Sequence, residues 1–305
     1  MRLPHSGSFF CRERGRDMRE ITGHTVLTGL LGSPAAHSIS PMMHNESFRL
    51  LDLDYVYLAF DVGEKDLKTA VEGLKALGAR GFNLTMPDKN KMVEYCDRLS
   101  PAAQMIGAVN TVVNDNGLLT GYTTDGIGYM RAAEDAGVRL GGKVMTLLGG
   151  GGAATAVCAQ AALDGLRQIR VFNIRDSFYG RLERLTAELT ERTSCKVTLE
   201  DLADEKALAR SIAESDILTN ATSVGMAPKT EGCLIKDPQV LRPDLIVSDV
   251  IYNPRQTRLL KMAADRGCRT FNGMYMLLYQ GAAAFELWTG KKMPVEQIKA
   301  KYFSA

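Results

Sequence analysis

The chain has 305 residues, with 37 Lys plus Arg against 35 Asp plus Glu for a formal net charge of +2, and it is 45% hydrophobic and 24% charged. At roughly 150 residues per domain this length predicts two domains, each large enough for its own core, and the composition excludes disordered, coiled-coil and collagen-like chains. A near-neutral charge without a Lys/Arg cluster excludes nucleic acid and anionic membrane surfaces, and no apolar run approaches the roughly 20 residues that cross a bilayer, which leaves small molecules, or a second copy of the chain in a homodimer, as partners.

Residues 1–17 are rich in Arg and Gly and lack the apolar stretch of a secretory signal, so they read as a tail outside the fold, ordered or not, with Met18 as a candidate start. Cys11, Cys96, Cys158, Cys195, Cys233 and Cys268 lie far apart, with no Cys-x-x-Cys pair and no His at metal-ligand spacing. They predict free thiols in a reducing cytoplasm and no metal site.

From Thr25 onward, β-rich runs alternate with helical patterns. Strands are predicted at 25–31, 55–62, 80–85, 143–148, 168–173, 217–222 and 245–252. This alternation implies βαβ units and mostly parallel sheets, an α/β fold. Between the second and third strands, Leu67, Ala70, Val71, Leu74 and Leu77 form one apolar stripe of a surface helix. His37-Ser38-Ile39-Ser40-Pro41 is a polar turn before a helix; its two hydroxyls can receive a carboxylate, or Ser40 can be an ordinary N-cap with Pro41 at the first helical position. His37 and His44 have no metal-like partner and read as structural. A hairpin is predicted at 109–123 around Asn114-Asp115-Asn116-Gly117, where Asn-Gly supplies positive φ, and the domain boundary falls just after it.

Gly149-Gly150-Gly151-Gly152-Ala153-Ala154 follows a strand and opens a helix to about Leu163, in the order strand, motif, helix, second strand. It fits Gly-x-Gly-x-x-Ala: Gly149 makes the tight turn, Gly151 lets the backbone approach a pyrophosphate, and Ala154 allows helix and strand to pack closely. The second strand ends at Asn173-Ile174-Arg175-Asp176, where this fold meets the adenosine ribose. An acidic residue there accepts from a 2′,3′-diol and repels a 2′-phosphate, whereas Arg welcomes the phosphate; Asp176 can instead be a helix N-cap. The combination favours NAD with some use of NADP.

The segment Asn83-Leu84-Thr85-Met86-Pro87-Asp88-Lys89 leaves a strand and delivers a Lys. Taken singly, Lys89 reads as a solvated lysine, Asn110 as a turn residue and Asp125 as a helix N-cap. Together they sit at strand ends and the domain junction, on the edge where open α/β sheets bind ligands. Oxidising a secondary alcohol needs hydride delivery while a nearby group takes the hydroxyl proton, and a Lys held beside an Asp can do this. Desolvation moves a lysine toward neutrality, and an adjacent carboxylate opposes that shift and fixes geometry. The stretch 274–288 is apolar nearly all round and predicts a buried helix in which Gln280 needs a polar partner.

These motifs, with Gly107-Ala108-Val109-Asn110-Thr111, Thr124-Asp125-Gly126, Asn220-Ala221-Thr222-Ser223-Val224-Gly225-Met226 and Gln280-Gly281-Ala282, resemble the shikimate dehydrogenase family over nearly all of Thr25 to Lys299, and most closely its quinate/shikimate branch. The resemblance implies an N-terminal α/β substrate domain, 18–121 and 276–305, and a Rossmann-type NAD(P) domain, 122–275, with the C-terminal helix returning to the first. It implies that Lys89 and Asp125 are the catalytic pair and that Ser38, Ser40, Tyr57, Thr85, Asn110 and Gln280 hold the substrate. Asn173, Arg175 and Asp176 would contact the ribose, with Thr222, Val250, Tyr252 and Gly273 beside the nicotinamide or the cleft. The expected reaction is oxidation of shikimate to 3-dehydroshikimate in aromatic amino acid biosynthesis, with quinate a second substrate and NAD, or NADP, the cofactor. Ile174 stands where NADP-specific members carry Arg, and Tyr279 stands where a Trp often precedes the glutamine. The competing readings are a dehydrogenase of another carbocyclic hydroxy acid, such as an aminoshikimate, and a non-catalytic ligand-binding regulator.

Overall fold

A computed structural model describes residues 20–176 and 179–303; the N-terminal tail, with Cys11, lies outside the described residues. The first half contains β1 (Val26–Gly32), α1 (Ser40–Leu50), β2 (Tyr55–Asp61), α2 (Leu67–Ala76), β3 (Gly81–Leu84), β4 (Arg98–Leu99), α3 (Pro101–Ile106), β5 (Thr111–Asp115) and β6 (Leu118–Tyr122). Its strands form one sheet in the order β2-β1-β3-β5-β6-β4, parallel except where β5 pairs antiparallel with β3 and β6.

Next come α4 (Asp125–Asp135), β7 (Val144–Leu148), α5 (Gly152–Leu163), β8 (Gln168–Asn173), α6 (Tyr179–Arg192), β9 (Lys196–Asp201), α7 (Glu205–Ala213), β10 (Ile217–Asn220), β11 (Ile246–Asp249), α8 (Arg258–Asp265) and β12 (Arg269–Phe271). These strands form an all-parallel sheet ordered β12-β11-β10-β7-β8-β9. Counted from β7, that is the doubly wound order of a Rossmann fold, with its topological switch between β7 and β10. The chain closes with α9 (Met274–Thr289) and α10 (Val295–Tyr302).

Local chemistry sets these boundaries. Ser100 accepts the Ala103 N–H to start α3, Pro101 follows it, and Gly107 at φ 62° ends the helix in the left-handed region. The hairpin turns on Asn116 and Gly117, both at positive φ, although its strands begin and end up to two residues inside the predicted span. The α2 stripe buries Leu67, Val71 and Leu74, but Leu77 is the C-cap and is exposed, because Gly78 turns left-handed directly after it. Three strands escape the sequence pattern, β4, β9 and β12; β4, β9 and β12 are edge strands, each paired on one side only.

The returning helix α9 binds the halves together. Trp288, fully buried, donates from Nε1 to the Val112 carbonyl of β5, while α9 also packs along α4. A fully buried large apolar side chain of this kind contributes about 1.5–3 kcal/mol. On the other side of the junction, Arg181 of α6 donates to the carbonyls of Ile106 and Gly107 at the end of α3. Ala102 and Ile106 of α3 lie in the same hydrophobic cluster as Met145 and Leu147 of β7, so the two halves share a core as well as polar ties.

Candidate active site

The strand ends of both sheets meet at a cleft of about 440 Å³ bordered by Ser38, Ser40, Thr85, Lys89, Asn110, Asp125 and Gln280 together with Ala153, Val250, Tyr252 and Gly273. This size suits a small-molecule ligand. At its centre Lys89 Nζ donates to Asp125 Oδ2 at 2.7 Å, with the two side chains 31% and 17% exposed. Asn110 Nδ2 donates to Asp125 Oδ1 at 2.8 Å, so both carboxylate oxygens are held. Asn110 is itself buried, and its Oδ1 accepts the Thr124 backbone N–H at 2.7 Å. The Val109 N–H donates to the Lys89 carbonyl, which ties the lysine's backbone to the segment that carries Asn110 into β5.

Asp125 is the first residue of α4, and Thr124 holds the N-cap position without a side-chain cap bond, so the carboxylate is not spent on capping. The α1 start differs from the expected Ser N-cap in the same way. Ile39 occupies the N-cap, Ser40 begins the helix, and the Ser38 hydroxyl accepts the Ser40 N–H at 3.2 Å. Both serines border the cleft at the start of α1, where Ile39 itself supplies no side-chain cap.

Two expectations need correction. Tyr57 does not border the cleft: its ring is fully buried, its hydroxyl donates to Asn83 Oδ1 at 2.8 Å, and it stacks on His44 at 4.4 Å. Burial pushes the Tyr57 phenol well above its ordinary range, opposed by a side-chain hydrogen bond with Ser40, so Tyr57 reaches the cleft only through Ser40 and Asn83. Gln280 is half-buried at the cleft wall rather than enclosed in the apolar helix surface, and its Nε2 donates to the Leu277 carbonyl one turn back. His37, read as structural, is exposed and borders the cleft; its place beside the two serines was the available signal. Tyr302 also borders it, from the far end of the chain, and nothing in the sequence around it announces this.

The glycine loop lies at the switch point of the second sheet. Gly149 has φ +112°, and a Cβ there would stand 2.9 Å from Thr222 Cγ2, so only glycine fits the turn against the end of β10. Gly151 is the N-cap of α5 with no side-chain cap, and Gly151 and Gly152 have open space where a Cβ would be. An uncapped helix N-terminus under open space is what a dinucleotide pyrophosphate requires, so these residues fit that group. Asn173, buried at the end of β8, abuts Gly150; its Nδ2 donates to the Ile174 carbonyl and, at 3.5 Å, to Asp176 Oδ1. Arg175 Nε donates to Asp201 Oδ2 on β9 at 2.8 Å, and its guanidinium lies over the Tyr179 ring. The carboxylate of Asp201 is held below its ordinary range by the Ala203 N–H and by Arg175. Thr222 donates to Asn220 Oδ1, while Val250, Tyr252 and Gly273 reach the main cleft.

The substrate-binding domain model of shikimate dehydrogenase matches residues 30–112, and the shikimate 5′-dehydrogenase C-terminal domain model matches 273–301. A curated shikimate dehydrogenase (NADP(+)) of Listeria monocytogenes is 55% identical over 283 residues, covering 93% of this chain and 97% of that one. The chain belongs to the shikimate dehydrogenase family. Among solved structures of the family, Listeria monocytogenes shikimate 5-dehydrogenase in complex with shikimate and NAD superimposes with TM-score 0.90 at 55% identity, covering 92% of this chain and 98% of that one. Quinate dehydrogenase from Corynebacterium glutamicum in complex with NAD gives TM-score 0.82 at 30% identity, covering 92% and 99%. Among the described residues no group of His, Cys, Asp and Glu could hold a metal ion, Cys96, Cys158, Cys195, Cys233 and Cys268 are unpaired, and no helix is long and apolar enough to cross a membrane.

Proposed function

We infer that the chain catalyses the reversible NAD(P)-dependent oxidation of shikimate to 3-dehydroshikimate, a step of aromatic amino acid biosynthesis. The observation that carries this reading is the Lys89–Asp125 pair, 2.7 Å apart in a cleft bordered by both sheets. The glycine loop and the start of α5 would hold the dinucleotide, which would supply the acceptor for the hydride lost from the substrate carbon. Lys89 takes the hydroxyl proton from the same carbon's oxygen, so loss of hydride and proton together leaves a carbonyl. Asp125 holds the Lys89 amine on the reacting hydroxyl, and Asn110 fixes the carboxylate from its other oxygen. Ser38, Ser40, Thr85 and Gln280 bind the substrate's carboxylate and remaining hydroxyls.

On this reading residues 18–121 and 276–305 bind substrate, and 122–275 bind the dinucleotide. NAD is the preferred cofactor. In support, Arg175 already pairs with Asp201, Ile174 offers no cation, and Asp176 disfavours a 2′-phosphate. Quinate is a second substrate. A cytoplasmic location and a homodimer are further expectations, which fractionation and sedimentation test. Initial rates with shikimate and quinate, each with NAD and NADP, test the whole reading. Shikimate with NAD should reduce the cofactor fastest; no reduction of either cofactor by shikimate, despite binding, would leave a ligand-binding protein in place of a dehydrogenase.

A further inference from the structure

We propose that Tyr302, in the last turn of α10, determines substrate specificity by walling the end of the cleft that receives the carboxylate-bearing carbon of the ring. The proposal rests on the reading above and names a residue beyond the expected site. Tyr302 borders the same cleft as Lys89, Asp125 and Ser38. It is one residue past the segment matched by the family's C-terminal model.

The position of Tyr302 is fixed from several sides. Lys301 Nζ pairs with Glu46 Oε1 of α1 at 2.7 Å, and Lys299 Nζ reaches both oxygens of Asp135 of α4 at 2.8 and 2.7 Å. Lys299 also lies 4.2 Å from the Tyr275 ring centroid. Ile298 and Phe303, on either side of Tyr302 in sequence, are buried. The ring of Tyr302 packs on the apolar cluster that contains Ala35 and Met43. The wall is therefore fastened to α1, the helix that begins at Ser40, and to α4, the helix that begins at Asp125.

The cleft has two chemically different sides. Ala153, Val250 and Gly273 belong to the dinucleotide half, so the carbon that gives up hydride must face them. The carboxylate-bearing carbon, two bonds around the ring from the reacting one, then turns toward the Ser38–Ser40 turn and α10. At that end shikimate has a planar, unsaturated carbon, whereas quinate has a tetrahedral carbon with an added hydroxyl. A fixed aromatic ring limits the room at that carbon and favours the planar one, and a wall of this kind rejects an added hydroxyl by up to about 10²-fold.

The test compares Tyr302→Ala and Tyr302→Phe with the parent enzyme, by kcat/KM and by equilibrium binding of shikimate and of quinate, with thermal midpoints to verify folding. Tyr302→Ala should raise the quinate-to-shikimate ratio by about tenfold or more, whereas Tyr302→Phe, which keeps the ring, should stay near the parent ratio. A folded Tyr302→Ala enzyme with an unchanged ratio overturns the proposal, as does a Phe variant that shifts the ratio as far as Ala does. Failure of the parent enzyme to turn over shikimate would instead count against the reading of function, and the binding ratios would still decide the role of Tyr302.

Discussion

Lys89 Nζ and Asp125 Oδ2 meet at 2.7 Å although 36 positions separate them in the chain, one following the β3 strand end and the other opening α4. The pair joins the substrate-side sheet to the first helix after it, at the mouth of the second sheet. Because Asn110 holds the second carboxylate oxygen, Asp125 has little freedom except to orient Lys89. The pair is partly buried, so the cost of desolvating it offsets much of its Coulombic gain, and the arrangement is better explained by chemistry than by folding.

Replacing Asp125 by Asn tests that explanation. The Asn oxygen can still accept from Asn110, but an amide donor then faces Lys89 Nζ. Turnover should fall by about 10²-fold or more, while the thermal midpoint moves little. A stability loss without a change in kcat would assign Asp125 to the start of α4 alone.

Gly151→Asp separates cofactor binding from folding. Gly151 has φ −76° and ψ −175°, which any residue adopts, and open space at its Cβ. An Asp there caps α5, so stability should hold or rise by a few tenths of a kcal/mol. The same carboxylate occupies the anion site and repels phosphate, so the cofactor KM should rise at least about tenfold while shikimate binding without cofactor stays constant. Unchanged cofactor affinity would place the pyrophosphate elsewhere.

His44 makes stability depend on pH. It is fully buried, neither ring nitrogen has a hydrogen-bond partner, and burial lowers its pKa to about 3. The unfolded chain therefore binds a proton below pH 6.5 that the folded chain refuses. The stability contribution is complete above that value and declines as pH falls from 6.5 toward 3, by roughly 1.4 kcal/mol per pH unit. Asp88 acts oppositely: it is buried without a partner, burial and the Glu64 charge push its pKa up to about 6, and its protonation favours the fold as pH falls. Denaturant unfolding of the parent and of His44→Phe, at pH 7 and 5.5, isolates the histidine. The difference between the two proteins should shift toward the variant by about 1 kcal/mol at the lower pH; a pH-independent difference would mean that His44 is protonated in the folded state.

Much of this architecture is legible locally. β7 and α5 fall within a residue of their predicted ends because an apolar run and an Ala-rich helix flank a glycine loop whose spacing admits few alternatives. The polar cluster of Lys89, Asn110 and Asp125 could be anticipated because each lies at a strand or helix end, where α/β sheets bind ligands. What escaped depends on the tertiary fold. β9 has charged ends and pairs only with β8, so its pattern is that of an edge. Tyr57 faces inward because His44 and Trp288 take up its ring from α1 and α9, elements far from it in the chain. Tyr302 reaches the cleft because ion pairs to α1 and α4 bring α10 there, and no local pattern encodes such a destination.

The central claim is that Lys89 takes the hydroxyl proton of shikimate, and Lys89→Ala tests it most directly. Steady-state rates with shikimate and NAD, alongside shikimate binding measured at equilibrium, should show kcat lower by roughly 10²-fold or more with the dissociation constant little changed. Turnover like that of the parent enzyme would contradict the account.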